Sequence, residues 1–369
     1  MDEKKAKIDF NSAAVQQEMD HIVHGTFVKQ GTMLAFPTGF PGATIPIAAD
    51  ESHITALDVS LQGFVYGGTS GKRAHVFVGM LHGVTGMIFD LKAVDEATHC
   101  PAVCCGKTRF LACMNGPSGG GRIFASRLQP WPYDLIQEWG FRRPQFDDLG
   151  DVAGEPIVHA VADASRDHAV GVSEHHLFTV DLSSPKIQVV AEIPGFGRLA
   201  VGSEGGIIGP DGAGHLWRFN AQTQKLEPQA FKLPAGHWEK SPAAWAKAAH
   251  SGLLYTADDD GQLFSFDERR GFSAALGKTM LAPVYCMSAT FDGRVFGSCG
   301  SGIANMFCYD PRRREMTNLG VAVSLFERRR YGYVFGDAVT GRDGEIVFGE
   351  DDDGGHLWLY FPRIQEVSV

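Results

Sequence analysis

The chain contains no run of about 18 apolar residues, the length that a bilayer-spanning helix requires. Nor does it carry a basic stripe: 33 Lys and Arg face 43 Asp and Glu, a formal charge of −10, whereas neutralising a phosphate backbone needs the opposite balance. Nucleic acid and membrane are therefore not expected as partners. The seven cysteines (100, 104, 105, 113, 286, 299 and 308) are odd in number, form no Cys-x-x-Cys pair and lie in apolar text. That pattern predicts buried thiols rather than a disulfide or zinc framework. His-x-His and His-Glu-x-x-His spacings are missing, as are a Walker loop and a nucleotide fingerprint, which sets aside NTPase chemistry and leaves no cofactor indicated. The first 25 residues, MDEKKAKIDFNSAAVQQEMDHIVHG, lack the apolar core of a signal peptide. Taken literally this predicts a cytoplasmic protein, and a periplasmic or secreted one if a leader has been trimmed.

What the chain has in abundance is glycine (45 residues) and phenylalanine (25), and they recur together. The clearest copy is Gly252 to Arg269, GLLYTADDDGQLFSFDER, in which two alternating apolar runs flank an Asp-Asp-Asp-Gly turn. This is the text of a β-hairpin. A polar residue, an aliphatic one and then Phe or Trp return at 75–77, 122–124, 176–178, 215–217, 262–264, 305–307 and 356–358, so that the aromatic recurs every 39 to 54 residues. A period of that size, carried by strands and turns, suits a four-stranded propeller blade. Seven copies predict an all-β, seven-bladed propeller occupying residues 26–369, preceded by a tail and a short helix over 11–23 whose Val15, Met19, Ile22 and Val23 share one face. The segment Thr26–Phe36 is expected to complete the last blade and tie the two ends of the chain together.

Inner strands are expected at Ile54–Ser60, Pro101–Cys105, Ile157–Ala162, Arg198–Gly202, Ala243–Ala248, Val284–Ala289 and Tyr333–Val339. Two insertions break the period: Leu128–Asp151, with Trp131, Tyr133, Trp139 and Phe141, and Pro234–Pro242. Because inner strands begin around the axis, the residues at their starts converge on one face. These are His53, His99, His159, Arg198, the run His237, Trp238, Glu239 and Lys240, then Tyr285, and Arg330 with Tyr331. Such a set of His, Tyr and Arg suits proton transfer on an anionic substrate, and equally a wet channel that does no chemistry. The His residues opening the third strand (75, 176, 215 and 356) occupy equivalent places, which predicts a shared structural duty such as a bond to the next blade's loop. Arg122 replaces His at that place in blade two and becomes a candidate carboxylate clamp. The acidic turns at 258–260 and 351–353 read as turn chemistry before calcium sites, although a divalent metal on the axial His stays open.

The first repeat, GFVYGGTSGKRAHVF at 63–77, and the Gly-His-Leu-Trp copies at 214–217 and 355–358 resemble seven-bladed polysaccharide lyases that cleave next to uronic acids. These are the ulvan lyases and rhamnose–glucuronate lyases, together with a related rhamnosidase-type glycosidase family. The resemblance spans roughly residues 54–363 and is one of blade text. It implies an acidic oligo- or polysaccharide as substrate and β-elimination as the reaction. By that resemblance His99 or His159 would be the base, Arg198 or Arg122 would neutralise the carboxylate, and Tyr285 would protonate the leaving oxygen. His53, His75, His237, Trp238, Lys240, Arg330 and Tyr331 would bind substrate. The alternatives are a propeller that binds a glycan or protein without catalysis, and a metal-dependent small-molecule lyase or lactonase.

Overall fold

Most repeats fold into four antiparallel strands, and in four of them the aromatic residue of the third strand lies opposite a glycine of the second. In the computed structural model, which describes residues 12–13, 31–39, 43–82, 85–128, 143–239, 244–324 and 330–363, Gly67 lies opposite Phe77, Gly171 opposite Phe178, Gly209 opposite Trp217 and Gly297 opposite Phe307. A Cβ at any of these glycines would overlap the facing ring. The ring thus lies down across its own sheet, and the blade keeps a flat face for its neighbour.

The chain is a seven-bladed β-propeller. Blade 1 shows the pattern, with strands His53–Val59, Val65–Ser70, Ala74–His82 and Thr85–Val94 running outward from the axis. The remaining inner strands are His99–Cys105, Ile157–Ala162, Ala200–Val201, Ala246–Lys247, Val284–Ala289 and Phe335–Thr340. Blade 7 takes its outermost strand from the other end of the chain: Gly31–Pro37 pairs antiparallel with His356–Pro362, Gly31 opposite Pro362 and Pro37 opposite His356. Four of the inner strands, all but those of blades 3, 5 and 6, begin within two residues of their expected places but not on them. In blade 5 the strand shrinks to Ala246–Lys247, so the residues leading to the axis are Ala244 and Trp245, not His237. Most of the 11–23 helix, residues 26–30, Lys240 and the aromatics at 131, 133, 139 and 141 fall outside the described residues.

Core side chains gather between blades. Seven apolar clusters occupy the seven interfaces, from Tyr66, Val103 and Phe110 between blades 1 and 2 round to Val347, Leu357 and Leu57 between blades 7 and 1. All seven cysteines are free and buried within them. Burial pushes the thiols of Cys113, Cys286 and Cys308 up to about 12, so they pack as small apolar groups and do not act as nucleophiles.

The inner strands share a second device. Their register with the adjacent strand slips near the start in blades 1, 2, 3, 6 and 7, at Thr55, Cys100–Pro101, Val158, Tyr285 and Gly336. A bulge takes a residue out of the ladder and re-aims its groups, here at the axial mouth.

Replacing Gly67 by Ala should force Phe77 off its seat. Overpacking of this kind typically costs about 1–3 kcal/mol, and urea denaturation should show the loss as a lower midpoint with an unchanged slope.

Candidate functional site

The inner-strand starts and the turns between second and third strands share one face of the ring. His53, opening blade 1, reaches the acidic turn of blade 7: its Nδ1 lies 3.2 Å from Asp351 Oδ1 and its Nε2 2.9 Å from Asp353 Oδ1. Partial burial disfavours charge on this ring, but the two carboxylates outweigh it and raise its pKa above the ordinary 6.5. An acid on each nitrogen favours the doubly protonated ring. Asp352, between these aspartates in sequence, is pushed up to about 6, first by burial and then by Glu350.

His99 opens blade 2 and is the opposite case. Desolvation lowers its pKa, Asp351 resists and Arg198 adds to the lowering. The ring is neutral at pH 7 and stands exposed at the mouth, Nδ1 2.7 Å from Ser70 Oγ. Ser70 Oγ in turn lies 2.9 Å from Thr55 Oγ1. Nε2 has no partner among the described residues.

Below the two histidines, Arg198 crosses the axis from blade 4. Its Nη1 meets Asp337 Oδ1 of blade 7 at 2.5 Å, and its Nη2 donates to the Gly336 carbonyl at 2.6 Å. Asp337 also accepts from the Leu57 amide of blade 1 at 2.7 Å, and Asp58 repeats the motif one blade on by accepting from Cys105 at 2.6 Å. Arg166 lies 3.5 Å from Asp58, whose carboxyl burial holds above its usual range. A cavity of about 370 Å³ lies along the axis, lined by His159, Arg166, Trp245, Asp58 and the Arg198–Asp337 pair among others. His159 Nδ1 accepts the Leu199 amide at 3.2 Å. Burial, then Arg198, drives its pKa down to about 3, so the ring stays neutral with its proton on Nε2. In that state it donates to the cavity and has no lone pair to abstract with. Trp245 anchors to the Arg198 carbonyl through Nε1 at 3.0 Å.

The other sequence candidates lie elsewhere. Tyr285 sits half-buried at the blade 6 bulge. Arg330 is paired with fully buried Glu350 at 3.0 Å. Tyr331 is exposed and stacks on Tyr333 with centroids 6.5 Å apart and planes 13° apart. Trp238 packs on Phe264 and Phe272 and donates to Pro234 O, while His237 is exposed beside Glu239 and Asp260. Arg122 faces outward to Asp148, beside a cavity of about 800 Å³ between blades 1 and 2. His75 is buried off the axis between Asp90 (3.1 Å) and Glu51 (2.9 Å). His176, His215 and His356 likewise face Glu155, Asp211 and Glu350. Their shared duty is thus an acid pair within the blade or the loop leading into it, not a bond to the next blade, because strand start and loop flank one another on the same sheet.

Among the described residues no three His, Cys, Asp or Glu side chains are grouped to hold a metal ion. Asp258 instead caps its own turn, accepting from the Asp260 and Gln262 amides. Gly116-Pro117-Ser118-Gly119-Gly120 spells Gly-x-Ser-x-Gly but closes a hairpin, Gly116 N to Gly120 O at 2.9 Å, without the strand-to-helix turn of a nucleophile elbow. Sequence reading missed Asp58, Asp337 and Trp245. Their signal was there: a lone acid among aliphatics in inner-strand text, and a lone large ring among alanines.

No protein-family model matches the chain, and no curated protein matches it. Among solved structures, it is similar to the extracellular domain of a protein provisionally classed as a one-component system of B. thetaiotaomicron, with a TM-score of 0.55 and 11% identity. The match covers 89% of this chain and 40% of that one, so the chain spans about two fifths of its length. At that identity the likeness shows the fold alone, and 1156 solved chains match in all, too broad a company to select an activity. No described helix is long and apolar enough to cross a membrane.

The buried His75 pair gives a signed pH test. Desolvation works against its charge, but Asp90 and Glu51 prevail and raise the pKa above 6.5. The charged ring therefore stabilises the fold fully below pH 6.5, and that contribution fades as pH rises through the folded-state pKa. Urea denaturation of wild type and His75→Gln should show a stability gap that is widest below pH 6.5 and narrows as the pH rises from there. Arg198→Met should cost more, in the lower part of the about 3–5 kcal/mol range for a broken buried pair because Arg198 is 23% exposed.

Proposed function

We propose that the mouth is the site of a carbohydrate-active enzyme, a lyase that removes the proton beside a uronate carboxylate. The observation that carries this reading is His99: a neutral imidazole with lowered pKa, exposed at the mouth, one nitrogen held by Ser70 and the other open to a ligand. A base of this kind is worth about 10²–10⁴-fold in rate. The C5–H proton would pass to His99 Nε2, its electron pair would form the C4–C5 double bond, and the C4–O bond would break. The departing oxygen takes a proton, for which Tyr285 across the ring is the candidate. The protonated His53 ring, which opens the adjoining blade, is the cation proposed for the uronate carboxylate, which would replace the exposed carboxylate of Asp353 on Nε2.

His159 and Arg198 take supporting parts in this scheme. The first is a donor, and the second is already bound to Asp337 and two blades' carbonyls. A second reading, glycan or protein binding without catalysis, has its own support: both cations at the mouth already face carboxylates, and the Tyr331–Tyr333 stack offers an exposed ring face.

Incubation with a panel of uronate-containing glycans should raise the ultraviolet absorbance of unsaturated uronates, and His99→Ala should lower the rate by about 10²–10⁴-fold. No rise with any glycan, with unchanged reducing ends, would leave the binding reading. The pH profile has a fixed sense. The rate should climb through a pKa below 6.5 as His99 loses its proton, and fall through one above 6.5 as His53 loses its own.

A further inference from the structure

The hydrogen bonds around His99 contain a proton count that decides which of its nitrogens can act. Thr55 Oγ1 lies 2.8 Å from the Cys100 carbonyl, which can only accept, so the single hydroxyl proton of Thr55 is committed there. The 2.9 Å contact between Thr55 Oγ1 and Ser70 Oγ must then use the proton of Ser70. With that proton spent, the 2.7 Å contact between Ser70 Oγ and His99 Nδ1 leaves Ser70 as acceptor and Nδ1 as donor. A neutral imidazole carries one N–H. The lone pair is therefore on Nε2, the nitrogen without a partner among the described residues.

We infer that Thr55 and Ser70 are positioning residues that hold neutral His99 in its Nδ1–H tautomer and so present Nε2 to the mouth as a base. The chain of bonds is made by the bulges. Thr55 is the residue left out of the ladder between Ile54 and Ala56, and Cys100 lies in the slipped stretch between His99 and Ala102, followed by Pro101, which has no N–H. The relay thus joins the first and second strands of blade 1 to the inner strand of blade 2, and its terminus is a backbone carbonyl that cannot reverse direction. An imidazole without such a bond would be free to place its proton on either nitrogen. The functional consequence rests on the reading of His99 as base; the tautomer does not.

Nitrogen NMR of histidine-labelled protein at pH 7.5, with the His99 signals assigned by their loss in His99→Gln, reads the tautomer directly. The expected result is a protonated Nδ1 and an unprotonated Nε2 in wild type. Thr55→Val removes the acceptor for the Ser70 proton without touching His99. Ser70 can then donate to Nδ1, and the proton should move to Nε2. Ser70→Ala should move it as well, and Thr55→Ser should restore the wild-type pattern. Circular dichroism checks that each variant is folded. If wild type carries its proton on Nε2, or folded Thr55→Val and Ser70→Ala both leave it on Nδ1, the inference is overturned. With an active glycan in hand, Thr55→Val should lower kcat at least tenfold and leave KM nearly unchanged. A wild-type tautomer as expected, with no turnover of any glycan, would refute the lyase reading and leave the relay standing.

Discussion

In four of the blades the ring of the third-strand aromatic lies over a glycine of the second strand, and much of the architecture depends on that contact. A blade can stack on its neighbours only if its faces are nearly flat, and a large side chain standing upright would hold them apart. Where Gly67, Gly171, Gly209 and Gly297 remove the obstacle, Phe77, Phe178, Trp217 and Phe307 are buried to 2% exposure or less. Each such burial is worth about 1.5–3 kcal/mol. The neighbouring blade then finds a surface of Val, Leu, Ile and Cys against which to close. One apolar cluster fills each interface, and the strand Gly31–Pro37 closes the last blade with main-chain bonds.

Close approach at the axis creates the second constraint. Backbone amides at the inner-strand ends must find acceptors where no further strand can pair with them. Asp337 and Asp58 supply these, each accepting from the inner strand of the next blade, and Arg198 and Arg166 balance the charge they bring. The structural solution has an electrostatic effect on the mouth. Burial first, and then Arg198 held in place by Asp337, lower the basicity of both His99 and His159. Asp351 and Asp353 raise that of His53 on the adjoining blade. Two histidines that open successive inner strands are thereby shifted in opposite directions, which is the condition for dividing acid–base work between them.

The repeat was legible because it is written in local text: a turn, an aliphatic, an aromatic, at a spacing that only a ring of small sheets satisfies. The inner strands of blades 3 and 6 could be placed to the residue, since Ile157–Ala162 and Val284–Ala289 are bounded by prolines and turns. In blade 5 the inner strand Ala246–Lys247 falls within the expected Ala243–Ala248, but the side chain it brings to the axis is Trp245 and not His237, which stays on the preceding insertion. His53, His99, His159 and Arg198 were also visible as a convergent set, as strand direction alone brings inner-strand starts to the axis.

What each of those groups does there was not visible. The partner of Arg198 is Asp337, 139 positions away, and the partners of His53 are 298 and 300 positions away. The sequence determined the number of blades, the direction of the inner strands and the burial of the cysteines, because these follow from periodicity and polarity along the chain. Tertiary structure alone decided in which direction the basicity of each histidine is shifted, which groups hold its nitrogens and which arginine is already bound. Protonation and hydrogen-bond direction depend on the distances between blades, and those exist only once the ring has closed.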